Sequence, residues 1–303
     1  MRITFLGTGA GVPAKKRNVT GIALVMPEYG GDVWLFDCGE ATQHQILHTN
    51  IKLSKMTAIF ITHMHGDHVF GLPGLLSSRS FQGARDPLHI YGPKGIRAFV
   101  EQALKWSESH LSYELHIHEI EEGQIFADDR RLVSAAKLNH VVPSFGFRIE
   151  EKPKPGPLLV EKIKRDLGLE PGPIYKAFKT TDVLTLADGR RVHTADYIGT
   201  KKKGRSLAIL GDTAPCSGAL SLGQEASVLV HEGTFMSDKE VSANEFGHST
   251  ARQAAFAAKT ARVDVLILTH ISARYQDESA LLDEARAVFP MTYIARDFWS
   301  YQL

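Results

Sequence analysis

The segment ITHMHGDH at residues 61–68 places three histidines and one aspartate directly after an apolar run. If the chain stays extended to His65, the side chains of His63 and His65 point to the same side, because side chains in a strand repeat every two residues. The glycine that follows permits a turn, which brings Asp67 and His68 toward the same cavity from another direction. Imidazole nitrogens and carboxylate oxygens are ligands that Zn²⁺ takes in proteins. The spacing therefore predicts a metal site.

Three further apolar runs end on a polar residue of the same kinds. His140 ends KLNH, Asp212 ends LAILGD and His270 ends VLILTH. Each of these residues stands where a strand leaves its sheet, so we expect them to meet the first segment at one rim. The predicted ligands form two groups that share one bridging carboxylate: His63, His65 and His140 for one ion, Asp67, His68 and His270 for the other, and Asp212 for both.

A pair of bound ions determines the chemistry that we expect. Two divalent ions about 3.5–4 Å apart can activate a shared water and stabilise the attacking and leaving oxygens of an in-line displacement. The predicted reaction is a hydrolysis, most naturally of a phosphodiester. A single ion held by three histidines would also support hydrolysis, but it would leave Asp67, His68 and His270 without a role. We expect two Zn²⁺ ions per subunit, with Mn²⁺ or Co²⁺ as ions that the same ligands accept.

These polar residues need strands to position them, and apolar runs rich in β-branched residues recur along the chain. The runs that predict strands are Arg2–Leu6, Gly21–Met26, Val33–Asp37, Thr57–Thr62, Leu207–Leu210, Val228–His231 and Val263–Thr269. Apolar spacing or helix-forming composition predicts helices at Ile96–Ser107, Ser249–Ala261 and Glu278–Ala287. Strands come in hairpin-like pairs early in the chain and alternate with helices later. This order favours an α/β fold with two packed sheets between helices, an αββα sandwich.

The composition limits the class of protein. Among 303 residues there are 35 Lys and Arg against 34 Asp and Glu, so the net charge is +1 and any nucleic-acid binding must use a local basic patch. Hydrophobic residues make up 43% of the chain, which excludes a disordered or low-complexity protein. Two cysteines are too few for a disulfide scaffold. No apolar run approaches the roughly 18 residues of a membrane span and no signal-peptide pattern is present, so we expect a cytoplasmic protein without membrane contact.

One stretch departs from the rest of the chain in composition. Residues 151–179 carry Pro-Gly pairs at both ends and a short helical pattern between them. Seven basic and four acidic residues give this stretch a charge of +3, more than the whole chain carries. We expect a single domain over residues 1–303, with 151–179 as an inserted flexible arm. An excess of positive charge favours phosphate contacts, for which the candidates are Lys152, Lys154, Lys162, Lys164 and Arg165.

Several motifs together resemble those of the ribonuclease Z family within the metallo-β-lactamase superfamily. They are FLGTGAGVPAKKRN near the start, FDCGEATQHQ, THMHGDHVFGLPGLL, the inserted arm, LGDT, HEGTF, FGHST and THISARY. The H-x-H-x-D-H motif alone marks only the superfamily, whereas the combination covers nearly the whole chain. The resemblance implies a zinc-dependent endoribonuclease that removes the 3′ trailer from precursor tRNA, leaving a 3′-hydroxyl on the tRNA and a 5′-phosphate on the trailer. It also implies a homodimer.

The resemblance assigns roles to residues outside the predicted ligands. It implies that a Glu232–His248 pair protonates the leaving 3′-oxygen and that Asp67 takes the proton of the attacking water. From the residues alone, His248 is equally suited to cap the helix that follows it. The arm is expected to clamp the tRNA. The RNA contacts implied beyond the arm are Lys15, Arg17, Asn18 and Arg274.

Two alternative functions remain at this point. Another phosphodiesterase, or an arylsulfatase, of the same fold would keep the metal ligands and act on small molecules without an RNA-binding arm. A non-catalytic RNA-binding subunit would have lost the metal motif, whereas every position of that motif is present here. A dinucleotide-binding fold is excluded, because Pro13 stands where the helix after GTGAG should begin.

A second group of histidines falls outside the predicted site. His116 and His118 alternate in the segment ELHIHEI, which has the pattern of a strand. We therefore expect both on an exposed sheet face rather than among the metal ligands.

Overall fold

Sixteen strands and ten helices make up the computed structural model, which describes residues 1–201 and 203–303. In chain order the strands are β1 (Arg2–Gly7), β2 (Gly21–Met26), β3 (Asp32–Phe36), β4 (Met56–Phe60), β5 (Leu88–Gly92), β6 (Leu115–Glu119), β7 (Gly123–Ala127), β8 (Arg131–Leu138), β9 (Ser144–Glu151), β10 (Val183–Thr185), β11 (Arg191–His193), β12 (Ser206–Leu210), β13 (Val228–Glu232), β14 (Val265–Thr269), β15 (Thr292–Ile294) and β16 (Ser300–Gln302). The helices are α1 (Thr42–Leu47), α2 (Gly66–Val69), α3 (Leu72–Phe81), α4 (Ile96–Trp106), α5 (Val160–Leu167), α6 (Ile174–Ala177), α7 (Ser217–Gly223), α8 (Glu240–Glu245), α9 (Ala251–Ala261) and α10 (Ser279–Arg286).

The strands form two seven-stranded sheets and one short hairpin. The first sheet has the order β16-β1-β2-β3-β4-β5-β6, the second has the order β15-β14-β13-β12-β9-β8-β7, and β10 pairs with β11. Strands β3 to β6 run parallel in the first sheet, and β12 to β15 run parallel in the second. Residues that follow parallel strands gather at one edge of their sheet, which is where α/β proteins place their sites.

The two seven-stranded sheets face each other across an aromatic-rich core. Phe36 and Phe60 of the first sheet and Phe147 and Ile267 of the second are all buried in it. The Phe60 ring lies between the sheets, with its centroid 5.0 Å from that of Phe36 and 5.5 Å from that of Phe147. Burying these rings removes apolar surface from water, which is the main favourable contribution to folding.

Helices cover the outer face of each sheet. Ile46 of α1, Leu75 of α3 and Val100 of α4 pack with Leu35 and Ile59 on the first sheet. Helices α7, α9 and α10 cover the second sheet in the same way, largely through alanines and leucines. The resulting order of helix, sheet, sheet and helix confirms the predicted αββα sandwich.

The predicted elements agree with the structure to within two residues at each end. The largest differences are at the end of β4 and at the starts of β14 and α9. Helix α9 is capped by Thr250, whose Oγ1 accepts a hydrogen bond from Gln253 N at 3.1 Å, while Gln253 Oε1 accepts one from Thr250 N at 3.0 Å. This capping box begins the helix two residues after His248, so His248 is not its cap.

Gly211 allows the ends of the two sheets to meet. It follows β12, and a Cβ built on it would lie 2.6 Å from Cβ of Thr62, which follows β4. Phe145 N donates to the Thr62 carbonyl oxygen at 2.9 Å, and Gly211 N donates to the Phe145 carbonyl oxygen at 3.2 Å. Because glycine alone permits this approach, the strand ends that carry Asp212 and His63 lie side by side.

Glu150–Arg205 and Asp129–Arg131 form a compact unit separate from the rest of the described chain. The unit contains α5, α6, β10 and β11. Its own small core consists of Ile163, Leu167, Tyr175, Phe178, Leu186 and Tyr197. The predicted arm, 151–179, lies within this unit, which continues through the β10–β11 hairpin. The chain closes on itself where Gly199 N donates to the Pro157 carbonyl oxygen at 2.8 Å.

The helices of the described chain are short. None of them has the length and apolar composition that crossing a membrane requires. Cys38 is buried, Cys216 is partly exposed, and both thiols are free.

Candidate metal centre

Three imidazoles meet at the ends of β4 and β8. His63 and His65 follow β4, and His140 follows β8. His63 Nε2 lies 3.2 Å from His65 Nδ1, which in turn lies 3.2 Å from His140 Nε2. His63 is fully buried and the other two are partly buried. The structure therefore brings together the three histidines of the first predicted group.

A second group surrounds one oxygen of Asp212. Asp212 Oδ2 lies 3.3 Å from His270 Nε2, 3.5 Å from His68 Nε2 and 3.7 Å from His63 Nε2. Asp67 Oδ2 lies 3.4 Å from His270 Nε2 and 3.5 Å from His68 Nε2. Asp212 thus contacts imidazoles of both predicted groups, which is the position a bridging ligand would occupy.

The spacing of these donor atoms fits divalent metal ions. Two atoms bound at roughly 2.0–2.2 Å to one tetrahedral ion lie about 3.3–3.6 Å apart. The contacts in the two groups range from 3.2 to 3.7 Å, close to that spacing. His68 Nε2 is buried and has no hydrogen-bond partner among the described residues. A buried polar atom without a partner is costly, and a cation bonded to this nitrogen would remove that cost.

Hydrogen bonds hold the second nitrogen of two of these rings. His68 Nδ1 donates to Asp37 Oδ2 at 2.7 Å, and His140 Nδ1 donates to the Gly247 carbonyl oxygen at 2.8 Å. Both partners are acceptors, so each neutral ring keeps its Nε2 lone pair for a metal ion. Partners of this kind fix the tautomer and orientation of metal-binding histidines.

Asp37 is an orienting residue that the sequence analysis did not assign. Its Oδ1 accepts from Thr62 N and its Oδ2 accepts from Thr62 Oγ1, both at 2.8 Å. Thr62 Oγ1 lies 3.0 Å from His63 Nδ1, so Asp37 supports one histidine of each group. The available sequence signal was an aspartate at the end of a predicted strand, in FDCGE.

Two residues at this edge have an unusual backbone conformation. Asp37 adopts a φ of 57° and His270 a φ of 55°, values that residues other than glycine rarely adopt. Such strain persists only where the surrounding structure imposes it, and it is found preferentially at functional sites. Thr234 contacts His270 at two points, since its Oγ1 lies 2.9 Å from the His270 carbonyl oxygen and 3.0 Å from His270 Nδ1.

The electrostatics of the site favour a cation. Burial by itself would raise the pKa of Asp212, but the neighbouring imidazoles of His270 and His68 hold it well below its usual range. Burial by itself would lower the pKa of His68, but the carboxylates of Asp212 and Asp37 raise it well above its usual range. The negative potential that favours a proton on His68 also favours a divalent ion at that position.

His248 and Glu232 form an ion pair beside the ligands. His248 Nδ1 lies 3.1 and 3.2 Å from the two oxygens of Glu232, which ends β13. The Glu232 oxygens also accept from Thr213 N at 2.6 Å and from Thr234 Oγ1 at 2.5 Å. Burial by itself would lower the pKa of His248, but the hydrogen bond and charge of Glu232 raise it to about 9. The centroid of the His248 ring is 5.6 Å from that of His270.

The predicted RNA contacts of the PAKKRN loop differ in exposure. Lys15 is exposed, whereas Arg17 and Asn18 are partly buried and have partners within the fold. Arg17 Nη1 donates to Thr8 Oγ1 at 2.6 Å, and Asn18 Nδ2 donates to the Glu40 carbonyl oxygen at 2.8 Å. Arg17 and Asn18 therefore hold the loop in place, and Lys15, beside the exposed Lys16, is a cation that the loop presents to solvent.

Two contacts connect the surrounding loops with the site. Gly11 N, in the glycine-rich loop after β1, donates to Asp67 Oδ2 at 2.9 Å. The exposed Arg274 guanidinium lies 4.9 Å from the centroid of the Phe235 ring, which is 6.0 Å from that of the His248 ring. A single aromatic side chain thus separates Arg274 from His248.

The predicted phosphate contacts of the arm lie in the second compact unit, where several have a polar partner. The pairs, with the distance from the cation nitrogen to oxygen, are Lys154 with Glu151 (3.3 Å), Lys162 with the Asp196 carbonyl (2.8 Å), Lys164 with Glu170 (2.8 Å) and Arg165 with Asp166 (2.9 Å). Lys152 is exposed. The partner of Lys154, Glu151, is buried. The other pairs lie at the surface and contribute little free energy, so their cations can exchange partners for phosphates at small cost.

The chain is similar to known proteins over its whole length. Residues 1–153 match a family model described as anti-Pycsar protein Apyc1, and residues 176–271 match one described as a β-lactamase superfamily domain. The chain is 53% identical over 305 residues to the ribonuclease Z of Bacillus licheniformis and to that of Listeria monocytogenes, covering 100% of this chain and 99% of each relative. The crystal structure of the short form of human tRNase Z has a TM-score of 0.73 and 32% identity, covering 100% of this chain and 99% of that one.

Replacing Asp37 with asparagine tests its orienting role. Asp37→Asn keeps the side-chain size and tolerates the positive φ, but it removes the negative charge and one acceptor beside His68. We expect Zn²⁺ affinity to fall by roughly 10–100-fold in equilibrium dialysis, the usual effect of losing such a partner. Asp238→Asn, at a carboxylate that is 65% exposed, is the matched control and should bind like the unmodified protein. An unchanged affinity in Asp37→Asn would contradict the assignment.

Proposed function

Because the chain belongs to the ribonuclease Z family of the β-lactamase superfamily, we propose that it is a metal-dependent endoribonuclease that cleaves the 3′ trailer from precursor tRNA. The observation that carries the mechanism is the position of Asp212 Oδ2, 3.3–3.7 Å from imidazoles of both ligand groups. A shared carboxylate between two ion positions suits an in-line displacement at a phosphodiester. The products are a tRNA with a 3′-hydroxyl and a trailer with a 5′-phosphate.

We propose two Zn²⁺ positions in each chain, with Mn²⁺ or Co²⁺ as ions that the same donors accept. The ligands are His63, His65 and His140 at one position, Asp67, His68 and His270 at the other, and Asp212 at both. When bound, the ions supply Lewis-acid activation of a water and stabilise charge on the attacking and leaving oxygens. The support is the donor spacing, the unpartnered His68 Nε2 and the hydrogen bonds that leave imidazole lone pairs facing inward.

Two side chains move protons in the proposed reaction. Asp67 accepts a proton from the attacking water as the water oxygen bonds to phosphorus. The bond between phosphorus and the 3′-oxygen breaks, and His248 Nε2 donates a proton to that oxygen. Glu232 accepts the hydrogen bond from His248 Nδ1 at 3.1 Å, which stabilises the protonated ring and holds its orientation. Because Nδ1 is committed to Glu232, we assign His248 to proton transfer rather than to metal binding.

Cations around the site are proposed to bind the RNA backbone. Arg274 is exposed one aromatic ring away from His248, and Lys15 is exposed on the PAKKRN loop. Contacts to phosphates give affinity and register without reading base sequence. We propose that Arg17 and Asn18 act indirectly, by holding the loop that presents Lys15.

The second compact unit is proposed to bind the body of the precursor tRNA. Its own apolar core makes it a folded platform rather than a solvated loop. The cations proposed to contact phosphates on it are Lys152, Lys154, Lys162, Lys164 and Arg165. A homodimer and a cytoplasmic location are proposed from family membership, and sedimentation equilibrium of the purified chain tests the first of these.

Removing the shared carboxylate should abolish both metal binding and cleavage. In Asp212→Ala each ion position loses a ligand, so we expect bound metal to fall to near zero and cleavage of a 3′-extended precursor tRNA to be lost. Elemental analysis and product mapping on a gel measure the two effects, and metal add-back after chelation is the control. Near-normal turnover of Asp212→Ala would exclude a dimetal mechanism. A wild-type chain that binds no metal would instead favour the non-catalytic RNA-binding alternative.

Removing His248 should slow cleavage without removing the bound metal. His248→Ala is expected to retain the metal content of the wild type while the single-turnover cleavage rate falls about 10²–10⁴-fold, the range for general acid catalysis. His110→Ala, at an exposed histidine outside the site, should keep the wild-type rate. Loss of metal in His248→Ala would move His248 into the ligand set.

Excising most of the second unit, with its apolar core, separates action on tRNA from action on small molecules. Joining Pro157 to Gly199 removes residues 158–198 at a point where the two backbones already share a 2.8 Å hydrogen bond. We expect a large loss of activity on precursor tRNA and little change on bis(p-nitrophenyl) phosphate, since the metal ligands all lie outside the excised segment. Equal effects on both substrates would favour the alternative small-molecule phosphodiesterase or arylsulfatase.

A further inference from the structure

Three histidines that have no role in the candidate metal centre lie on the exposed face of β5 and β6. Strands β5 and β6 are parallel neighbours, with His89 opposite His116 and Tyr91 opposite His118. His116 and His118 are exposed, which confirms their predicted place on an open sheet face, and His89 is partly exposed. No functional role is predicted for these histidines from the sequence, and none of them takes part in the proposed function.

Two of these rings turn a nitrogen toward each other. His89 Nδ1 lies 3.1 Å from His118 Nε2, close to the 3.2 Å that separates His63 Nε2 from His65 Nδ1 in the candidate metal centre. Their centroids are 5.4 Å apart and their planes differ by 10°. The pair therefore has the donor separation of two ligands on one tetrahedral ion, about 3.3 Å.

Stacking holds both rings in place. The His118 ring stacks on Tyr91 with a centroid distance of 4.6 Å, and the His89 ring stacks on His116 at 4.8 Å. Because these neighbours restrict the rings before any ligand arrives, less conformational entropy is lost on binding. The arrangement thus has donors at the right separation on a rigid sheet.

The local charges are compatible with a cation. Burial, and then the nearby His116, lower the pKa of both His89 and His118, so the rings are neutral at physiological pH, which is the form that binds metal. The positive charge of Arg97 disfavours a cation near His118. The negative charge of Glu114, whose Oε2 lies 3.4 Å from His116 Nε2, offsets part of this repulsion.

We propose that His89 and His118 form a second, surface metal site for divalent ions that prefer imidazole ligands, the class of Zn²⁺, Ni²⁺ and Cu²⁺. Without metal, one of the two facing nitrogens donates a hydrogen bond to the other. On binding, the donor ring changes tautomer: its proton moves, by exchange with solvent, to its other nitrogen. Both facing nitrogens then bond to the ion as neutral imidazoles, with solvent completing its coordination. The site shares no residue with the candidate metal centre, so it stands independently of the proposed function.

Counting bound Zn²⁺ on the untagged full-length chain tests the proposal. Equilibrium dialysis against increasing free Zn²⁺ should show that His89→Gln and His118→Gln each bind about one ion fewer than the wild type at saturation. His110→Gln, at an exposed histidine outside the cluster, is the matched control and should bind as many ions as the wild type. Equal binding by the wild type and both cluster variants, or an equal loss in the control, overturns the proposal.

A measurement on the wild type alone covers the case in which a variant misfolds. In long-range ¹H–¹⁵N spectra of the histidine-labelled protein, Zn²⁺ added after the candidate metal centre is saturated should shift His89 Nδ1 and His118 Nε2. Unshifted resonances of both nitrogens at saturating Zn²⁺ also overturn the proposal.

Discussion

Lone pairs of ring nitrogens and carboxylate oxygens crowd together in a largely buried space, and the rest of the structure depends on that crowding. At separations of 3.2–3.7 Å these atoms repel one another unless protons or cations lie between them. The fold enforces the approach through the paired strand ends at Gly211 and the strained backbones of Asp37 and His270. Holding these atoms together lowers the free energy of unfolding, and a metal ion bound to the same atoms would restore the lost stability.

The meeting of the candidate ligands could be predicted from the sequence because the segments that carry them follow predicted strands. The ends of parallel strands share an edge of their sheet, so Asp212 and His270, which follow β12 and β14 of the second sheet, could be placed together. His63 follows β4 of the first sheet and joins them only because the two sheets pack with these ends side by side. Their supporting residues could not be found in this way. Asp37 reaches His68 across 31 residues and Gly247 reaches His140 across 107, and such contacts exist only after the sheets have packed.

The extent of the inserted segment and the contacts of the PAKKRN loop could be predicted only in part. The Pro-Gly pairs marked where the insertion begins, but its last part is the short β10–β11 hairpin, whose strands of three residues each carry a weak periodic signal. In the PAKKRN loop, the family resemblance implied that Arg17 contacts RNA. Its guanidinium also donates to Thr8 and Ala295, contacts that the sequence did not indicate, because a long cation can bury its stem and satisfy donors inside the fold.

The closure at Pro157 and Gly199 has an evolutionary consequence. The inserted segment leaves from β9 and returns to β12, which are neighbours in the second sheet. The inserted segment could therefore become longer or shorter, or be replaced, without a change in the register of any strand in the sandwich. Substrate preference and hydrolytic machinery can then diversify at different speeds, since the strands of the inserted segment pair only with each other and belong to neither sheet of the sandwich.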